Sequence, residues 1–362
     1  MRNRISRAAS ALALLAVAGA ASAQTAPPTL QTVSPTGAQR GTSVRVTLEG
    51  TNIGDPRRII FSEPGLNAKI LSVKEVPIEK PMTPKGVVRT DAPIDDKARK
   101  YEVAALVTIP AGVPHGVHSF RLETPLGVSN LLRFAVSSLP EIAEREPNGS
   151  AAAQKVTLPA ALVGSFAKPG DVDAYEFRAR AGEELVFQVV ARPLGSRLDS
   201  IVRLTGADGQ VVAENNDFDL SRDSVLTFRV KEAGTYSLAI EDVEHGGAAN
   251  GFGYRIYAGA LPYVASVFPL GVPRGGSAPV VVTGVNLGSA REVRVKGTSA
   301  SLSDRMLPLE LTTPAGPPLN RKALVLGAYP EALEAEPNGD SAVAQRITIP
   351  AIINGRIWTS VP

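Results

Sequence analysis

The sequence predicts an all-β chain of tandem β-sandwich domains, and three observations predict it. Beyond residue 23 the apolar period is two rather than 3.6: residues 43–48 (SVRVTL), 184–190 (ELVFQVV), 224–230 (SVLTFRV), 235–240 (TYSLAI) and 278–283 (APVVVT) are β-rich and bounded by Gly, Pro, Asn or Asp. With 29 Pro, 33 Gly and only 5% aromatics, the composition suits several small turn-rich domains better than one large enzyme core. The third observation is a repeat without gaps. Pro35, Gly37, Arg40, Gly41, Gly50, Asn52 and Gly54 return as Pro269, Gly271, Arg274, Gly275, Gly284, Asn286 and Gly288.

At the amino end, Arg2, Arg4 and Arg7 precede an apolar run from Ala8 to Ala20, and Ala21-Ser22-Ala23 offers small residues for cleavage. Residues 1–23 therefore read as a secretory signal peptide, too short to span a bilayer, and Gln24 after the cut implies no lipid anchor. The leader holds three of the 38 Lys+Arg and none of the 35 Asp+Glu, so its removal takes the formal charge from +3 to zero. A neutral chain has no electrostatic footprint for nucleic acid, and no later run is long enough for membrane insertion. There are no cysteines, which excludes a disulfide framework and thiolate chemistry in a chain expected outside the cytoplasm, at the cell surface or in the periplasm.

The repeated module has a mechanical reading, in which glycines supply turns and positive φ at strand ends and Gly-x-Asn-x-Gly closes a hairpin. It ends in residues 120–127 (FRLETPLG), echoed by 309–316 (LELTTPAG) after a shorter middle, so the second copy has lost a loop or hairpin. The first copy carries a polar stretch from Glu79 to Lys97 that reads as a surface excursion. These residues resemble the IPT/TIG family of immunoglobulin-like domains over residues 28–137 and, shortened, 261–326. The resemblance implies small β-sandwiches with a scaffolding or binding role and no catalytic residues to carry over.

Between the modules, residues 139–259 open with EREPNG at 144–149 and continue to Gly170-Asp-Val-Asp-Ala-Tyr-Glu-Phe177. In an extended chain residues i and i+2 share a side, so Glu144 and Glu146 can point together, as can Asp171 and Asp173. If the strands carrying the pairs are neighbours, four carboxylates and the Asn148 carbonyl converge, and a hard divalent ion such as calcium would neutralise them. No His or Cys lies nearby, which disfavours zinc. Equally, Asn-Gly and Gly-Asp are ordinary turn formers, and paired acids are commonly just solvated.

The segment also resembles the bacterial pre-peptidase C-terminal (PPC) domain, in Glu-x-Glu-Pro-Asn, in Gly-Asp-x-Asp-x-Tyr, in Leu198-Asp199 through Leu204 followed by Asp208-Gly209, and in Gly234-Thr235-Tyr236. That resemblance implies a jelly-roll-like sandwich of the kind found on secreted hydrolases, and calcium held by Glu144, Glu146, Asn148, Asp171 and Asp173. Many members have Asp after the Asn, where this chain has Gly149. EREPNG recurs as EAEPNG at 334–339, so residues 327–362 are expected to be the truncated start of a second such domain, poorly ordered or packed on a neighbour.

No catalytic constellation is visible. His115-Gly-Val-His118 reads as a turn and strand entry rather than a metal pair, and Gly-x-Ser-x-Gly, His-Glu-x-x-His and a phosphate loop are absent. The acidic run 215–223 (NNDFDLSRD) lacks the glycine and glutamate of an EF-hand and reads as a solvated hairpin loop. Trp358, the sole tryptophan, reads as a core residue rather than a sugar platform. The expectation is a secreted, non-catalytic modular scaffold braced by calcium, with an extracellular or cell-envelope protein or polymer as partner. The alternative is the accessory region of a secreted peptidase or hydrolase whose catalytic domain lies elsewhere.

Overall fold

The computed structural model describes residues 26–77, 99–248, 251–298 and 305–357. The expected leader, the excursion from Glu79 to Lys97 and Trp358 lie outside them. Among the described residues there are no α-helices, only strands and three short 3-10 turns, so the chain is all-β.

The first sandwich holds β1 (Thr29–Ser34), β2 (Gly37–Gln39), β3 (Thr42–Thr51), β4 (Arg58–Phe61), β5 (Asn67–Val76), β6 (Lys100–Ile109), β7 (Gly116–Thr124), β8 (Gly127–Val128) and β9 (Leu132–Ser137). One sheet runs β1-β3-β6-β5 and the other β2-β9-β7-β4, with β8 on β7. Period two decides which side chains fill the space between them: Val46 and Leu48 from β3, and Val103, Ala105, Val107 and Ile109 from β6, all face inward.

The middle sandwich holds β10 (Glu141–Ala143), β11 (Gln154–Lys155), β12 (Ala160–Ser165), β13 (Val172–Ala179), β14 (Glu184–Val190), β15 (Ser200–Thr205), β16 (Val211–Asn215), β17 (Val225–Arg229), β18 (Gly234–Asp242) and β19 (Gly253–Gly259). Its sheets run β10-β12-β19-β14-β17 and β11-β13-β18-β15-β16. Tyr175, Phe177, Phe187, Leu204, Leu238 and Ile256 meet in its core. Because β10 belongs to one sheet and β11 to the other, residues 144–153 carry the chain across the edge of the sandwich.

The third sandwich is smaller, with β20 (Tyr263–Phe268), β21 (Gly271–Pro273), β22 (Ser277–Val285), β23 (Glu292–Lys296), β24 (Met306–Pro308) and β25 (Ala323–Gly327). Its sheets run β20-β22-β23 and β21-β25-β24. It repeats the first sandwich in detail: β1–β3 and β20–β22 share a bulge at the same step, and β2–β9 and β21–β25 are both parallel. Asn130 bonds both backbone groups of Leu30, as Asn320 does those of Val264.

One expectation is corrected. Gly-x-Asn-x-Gly closes a hairpin in the second copy only: Asn52 and Asn286, at φ of 58° and 55°, turn the chain out of β3 and β22, and the connection through Gly288 brings β23 back antiparallel to β22, whereas β4, which follows β3, lies in the facing sheet. A side chain at Gly50 would strike the Thr29 carbonyl at 2.2 Å, and one at Gly284 would strike that of Tyr263 at 2.0 Å. These glycines admit the neighbouring strand.

After the third sandwich comes a parallel pair, β26 (Glu331–Leu333) with β27 (Ile352–Asn354). It packs on that sandwich, where Leu270 N–H donates to Asn354 Oδ1 at 2.9 Å and the Arg356 guanidinium lies 3.8 Å from the Phe268 ring centre.

The outer face of the middle sandwich is covered by both neighbours. Leu139, Ala161, Val186, Val190, Tyr257, Leu261, Tyr263 and Leu319 form one apolar cluster, and Asn286 donates to the Glu184 carbonyl at 2.8 Å. His115 reaches into this seam and lies edge-on to Tyr257 at 5.0 Å. Burial foremost, then the Arg40, Arg321 and His118 charges, pushes its pKa down to about 4, against a backbone hydrogen bond with Leu319 that raises it. A histidine depressed in the folded state stabilises above its unfolded value near 6.5 and loses that contribution as pH falls from there toward 4, worth roughly 3 kcal/mol at full extent. Urea unfolding at pH 7 and pH 4.5 is therefore expected to show an acid-sensitive loss that shrinks by about 2 kcal/mol in His115→Gln.

Candidate metal centre

The crossing from β10 to β11 builds this site. Glu146 on the crossing, Asp171 just before β13 and Asp173 within β13 bring one carboxylate oxygen each to within 4.8 Å of the others. Asn148 is fully buried beside them, its carbonyl accepting from Ala174 N–H at 2.7 Å and its N–H donating to Glu146 Oε2 at 3.1 Å. That bond from Ala174 joins the crossing to β13, and β11 then continues parallel to β13.

Several oxygens are buried without a protein partner: Asn148 Oδ1, Asp171 Oδ2 and Asp173 Oδ1 have none among the described residues. A buried carboxylate oxygen left in this state costs about 1–3 kcal/mol or more, so the arrangement favours a cation. Two like charges about 4 Å apart repel by roughly 4 kcal/mol at an effective dielectric constant of 20. Burial, then the Glu144 and Asp171 charges, pushes Asp173 up to about 7 despite the hydrogen bond from Tyr254. Glu144 is raised too, by burial first. Lys168 offers Asp171 a contact of 3.7 Å, but its exposed ammonium offsets little of this repulsion. The donors are all oxygens, which suits a hard divalent cation.

The expected ligands are thus divided. Glu146, Asp171 and Asp173 come together and Asn148 adjoins them, while Glu144 stands outside that group but beside Asp173, near the same Tyr254 hydroxyl, and accepts from Ser165 N–H at 2.9 Å and Ser165 Oγ at 3.3 Å. The acidic pairs also do not ride on neighbouring strands, since the glutamates lie on the crossing and the aspartates at the start of β13. A side chain at Gly149 would meet the Val172 carbonyl oxygen at 3.5 Å, an ordinary contact, so the position admits one.

A tyrosine pair, not anticipated as part of the site, supports it from below. Tyr254 on β19 donates to Asp173 Oδ2 at 2.6 Å, and its hydroxyl meets that of Tyr175 at 2.7 Å. Tyr175 stands in the Gly-Asp-x-Asp-x-Tyr motif, but Tyr254 lies 81 residues beyond Asp173 in the sequence, with no local signal.

The other candidates have structural roles. His118 bonds the Pro114 carbonyl at 2.9 Å, and His115 belongs to the seam. The run 215–223 is more than a solvated loop: Phe218 packs edge-on against Tyr263, Asp219 pairs with Lys322 at 2.9 Å, and Asp223 accepts from Ala191 and Arg192 N–H. A surface groove of about 610 Å³, lined by Pro159, Arg178, Arg180, Glu183, Thr235 and Ala260 among others, contains no histidine and one carboxylate. Among the described residues no helix is long and apolar enough to cross a membrane.

Fold and site define a tandem β-sandwich protein with, among the described residues, one buried oxygen-rich cluster. No family model matches the chain. Over 76 residues, 21% of its length, it is 41% identical to a probable subtilase-type serine protease of Deinococcus radiodurans, of which it spans about a tenth (10%). Among solved structures it is similar to the pre-peptidase C-terminal domain of a Bacillus anthracis collagenase, at 15% identity and a TM-score of 0.26, covering 32% of this chain and all of that domain. It is also similar to the secreted serine protease VesC of Vibrio cholerae, at 12% identity and a TM-score of 0.21, covering 62% of this chain and 48% of that one. The sandwich architecture is read from the sheets themselves.

Replacing Tyr254 by Phe removes the donor to Asp173 and a partner of Tyr175 while keeping the ring. Denaturant unfolding of Tyr254→Phe is expected to show a loss of about 1–3 kcal/mol in the middle sandwich.

Proposed function

We propose that this chain is an exported, non-catalytic modular scaffold whose middle sandwich is braced by calcium. The observation that carries this reading is the buried cluster of Glu146, Asp171 and Asp173 with the unpartnered oxygens of Asn148, Asp171 and Asp173. Glu146, Asn148, Asp171 and Asp173 would hold the ion, with Glu144 poised beside Asp173. A bound calcium would supply the positive charge that this cluster lacks and tie the crossing to β13. Since β10 enters the crossing directly and lies against the seam, a rigid crossing orients the first sandwich relative to the middle one. The partner is proposed to be an extracellular or cell-envelope protein or polymer, met through sheet edges or loops.

A second reading is favoured by the 76-residue match to a subtilase-type protease: an accessory region of a secreted peptidase. The intact mass of the product purified from culture separates the two readings. A product that carries a peptidase domain supports the accessory role.

Calorimetry of the full chain tests the brace. At free calcium one hundred times its dissociation constant, the unfolding free energy of the middle sandwich is expected to rise by about 2.7 kcal/mol, and a chelator to reverse the gain. The double variant Asp171→Asn, Asp173→Asn is expected to lose the calcium response while remaining at least as stable without metal, because its repulsion is relieved. A melting temperature indifferent to calcium and chelator would overturn the reading.

A further inference from the structure

The outer face of the middle sandwich buries hydrogen-bond donors that its neighbours leave unmatched. Glu141, Ala161, Tyr257 and Gln188 stand opposite one another across β10, β12, β19 and β14, and Arg255, two residues before Tyr257 on β19, faces the same side. Arg255 is fully buried, and its Nη2 is paired with the Glu141 carboxylate. Its Nε and Nη1 are buried without a hydrogen-bond partner among the described residues, and so is the hydroxyl of Tyr257, which lies close enough to feel the Arg255 charge. The Gln188 amide oxygen is in the same state, and because amide oxygen and nitrogen exchange places by a half-turn, this side chain can supply a further donor.

Buried donors left in this way cost free energy, most of all on a charged group. Two occupants would relieve them, a water molecule or an anion, and the surrounding charge decides between the two. His115 of the first sandwich lies edge-on to Tyr257, and the leading charges that act on it are those of Arg40, Arg321 and His118, all positive. Glu141 is already spent on Arg255, so it does not balance them. A water would satisfy the donors and leave that excess as it is, whereas an anion answers both. Leu139, Val190 and Leu319 close the seam around Tyr257, which requires the occupant to be small.

We propose that the seam is a binding site for one small monovalent anion, a halide, held by the Arg255 Nε–H and Nη1–H and by the Tyr257 hydroxyl, with Gln188 alongside. The donors come from the middle sandwich, and the positive surroundings come from the first and third, so the site exists where the three are assembled. The ion binds the assembled seam in preference to the unfolded chain and stabilises it by mass action.

The test uses the full chain in sodium salts, with chloride exchanged against gluconate at constant ionic strength. The melting temperature is expected to rise with chloride and to saturate. Crystals soaked in bromide are expected to show a buried anomalous peak within hydrogen-bond distance of Arg255 Nε or Nη1. Glu141→Gln removes the competing carboxylate charge and is expected to bind chloride about tenfold more tightly. Tyr257→Phe keeps the ring against His115 and is expected to bind it about tenfold more weakly. The double variant Glu141→Gln, Arg255→Met is expected to lose the chloride response. A melting temperature indifferent to the exchange, a response unchanged in Glu141→Gln and Tyr257→Phe, or bromide found at exposed arginines with water beside Arg255 would overturn the proposal.

Discussion

Three carboxylates held within 4.8 Å of one another, at the point where the chain passes from one sheet of the middle sandwich to the other, are the constraint on which the surrounding structure depends. Their charge must be neutralised, either by protons or by a cation, for the crossing to lie against β13. Around that requirement the sandwich has placed its polar interior. Tyr254 and Tyr175 underpin Asp173, Ser165 holds Glu144, and Asn148 is buried where its backbone can bond Ala174. The core on either side is conventional, with inward aromatic and aliphatic side chains from both sheets.

The same crossing ties the site to the arrangement of the chain. β10 precedes it immediately and carries Glu141, which pairs with the buried Arg255 on the face that meets the first sandwich. Leu139, Tyr257 and Leu319 close that face from three directions. In a chain without cysteines, these apolar and ionic contacts hold the seam without any disulfide. Loss of charge balance at the crossing would therefore act on the seam through β10, not only on the loop that carries the acids.

Much of the fold was legible because the relevant signals are local. Val46, Leu48, Val103, Ala105 and Val107 alternate in the sequence and alternate in the structure. The gapless repeat from Pro35 to Gly54 and from Pro269 to Gly288 appears as matching bulges and matching left-handed asparagines. Legibility failed where the outcome depends on distant pairing. Gly-x-Asn-x-Gly resembles a hairpin locally, yet the facing sheet claims the strand that follows its first copy. The acidic residues were visible, but their sharing between a crossing and a strand depends on parallel pairing of β11 with β13, which no spacing encodes. Tyr254 and Arg255 reach their acids from more than 80 residues away in sequence. Phe218 and Asp219, in a run that reads as solvated, were claimed by a neighbouring sandwich instead.

The central claim is a single cation site in the middle sandwich, and terbium luminescence tests it most directly. Terbium substitutes for calcium at oxygen-donor sites, and Tyr254 and Tyr175 stand next to Asp173 as sensitisers. The account predicts tyrosine-sensitised emission that saturates at one ion per chain, is displaced by calcium, and disappears in the Asp171→Asn, Asp173→Asn variant. Absent emission, or emission that survives that variant, would contradict it.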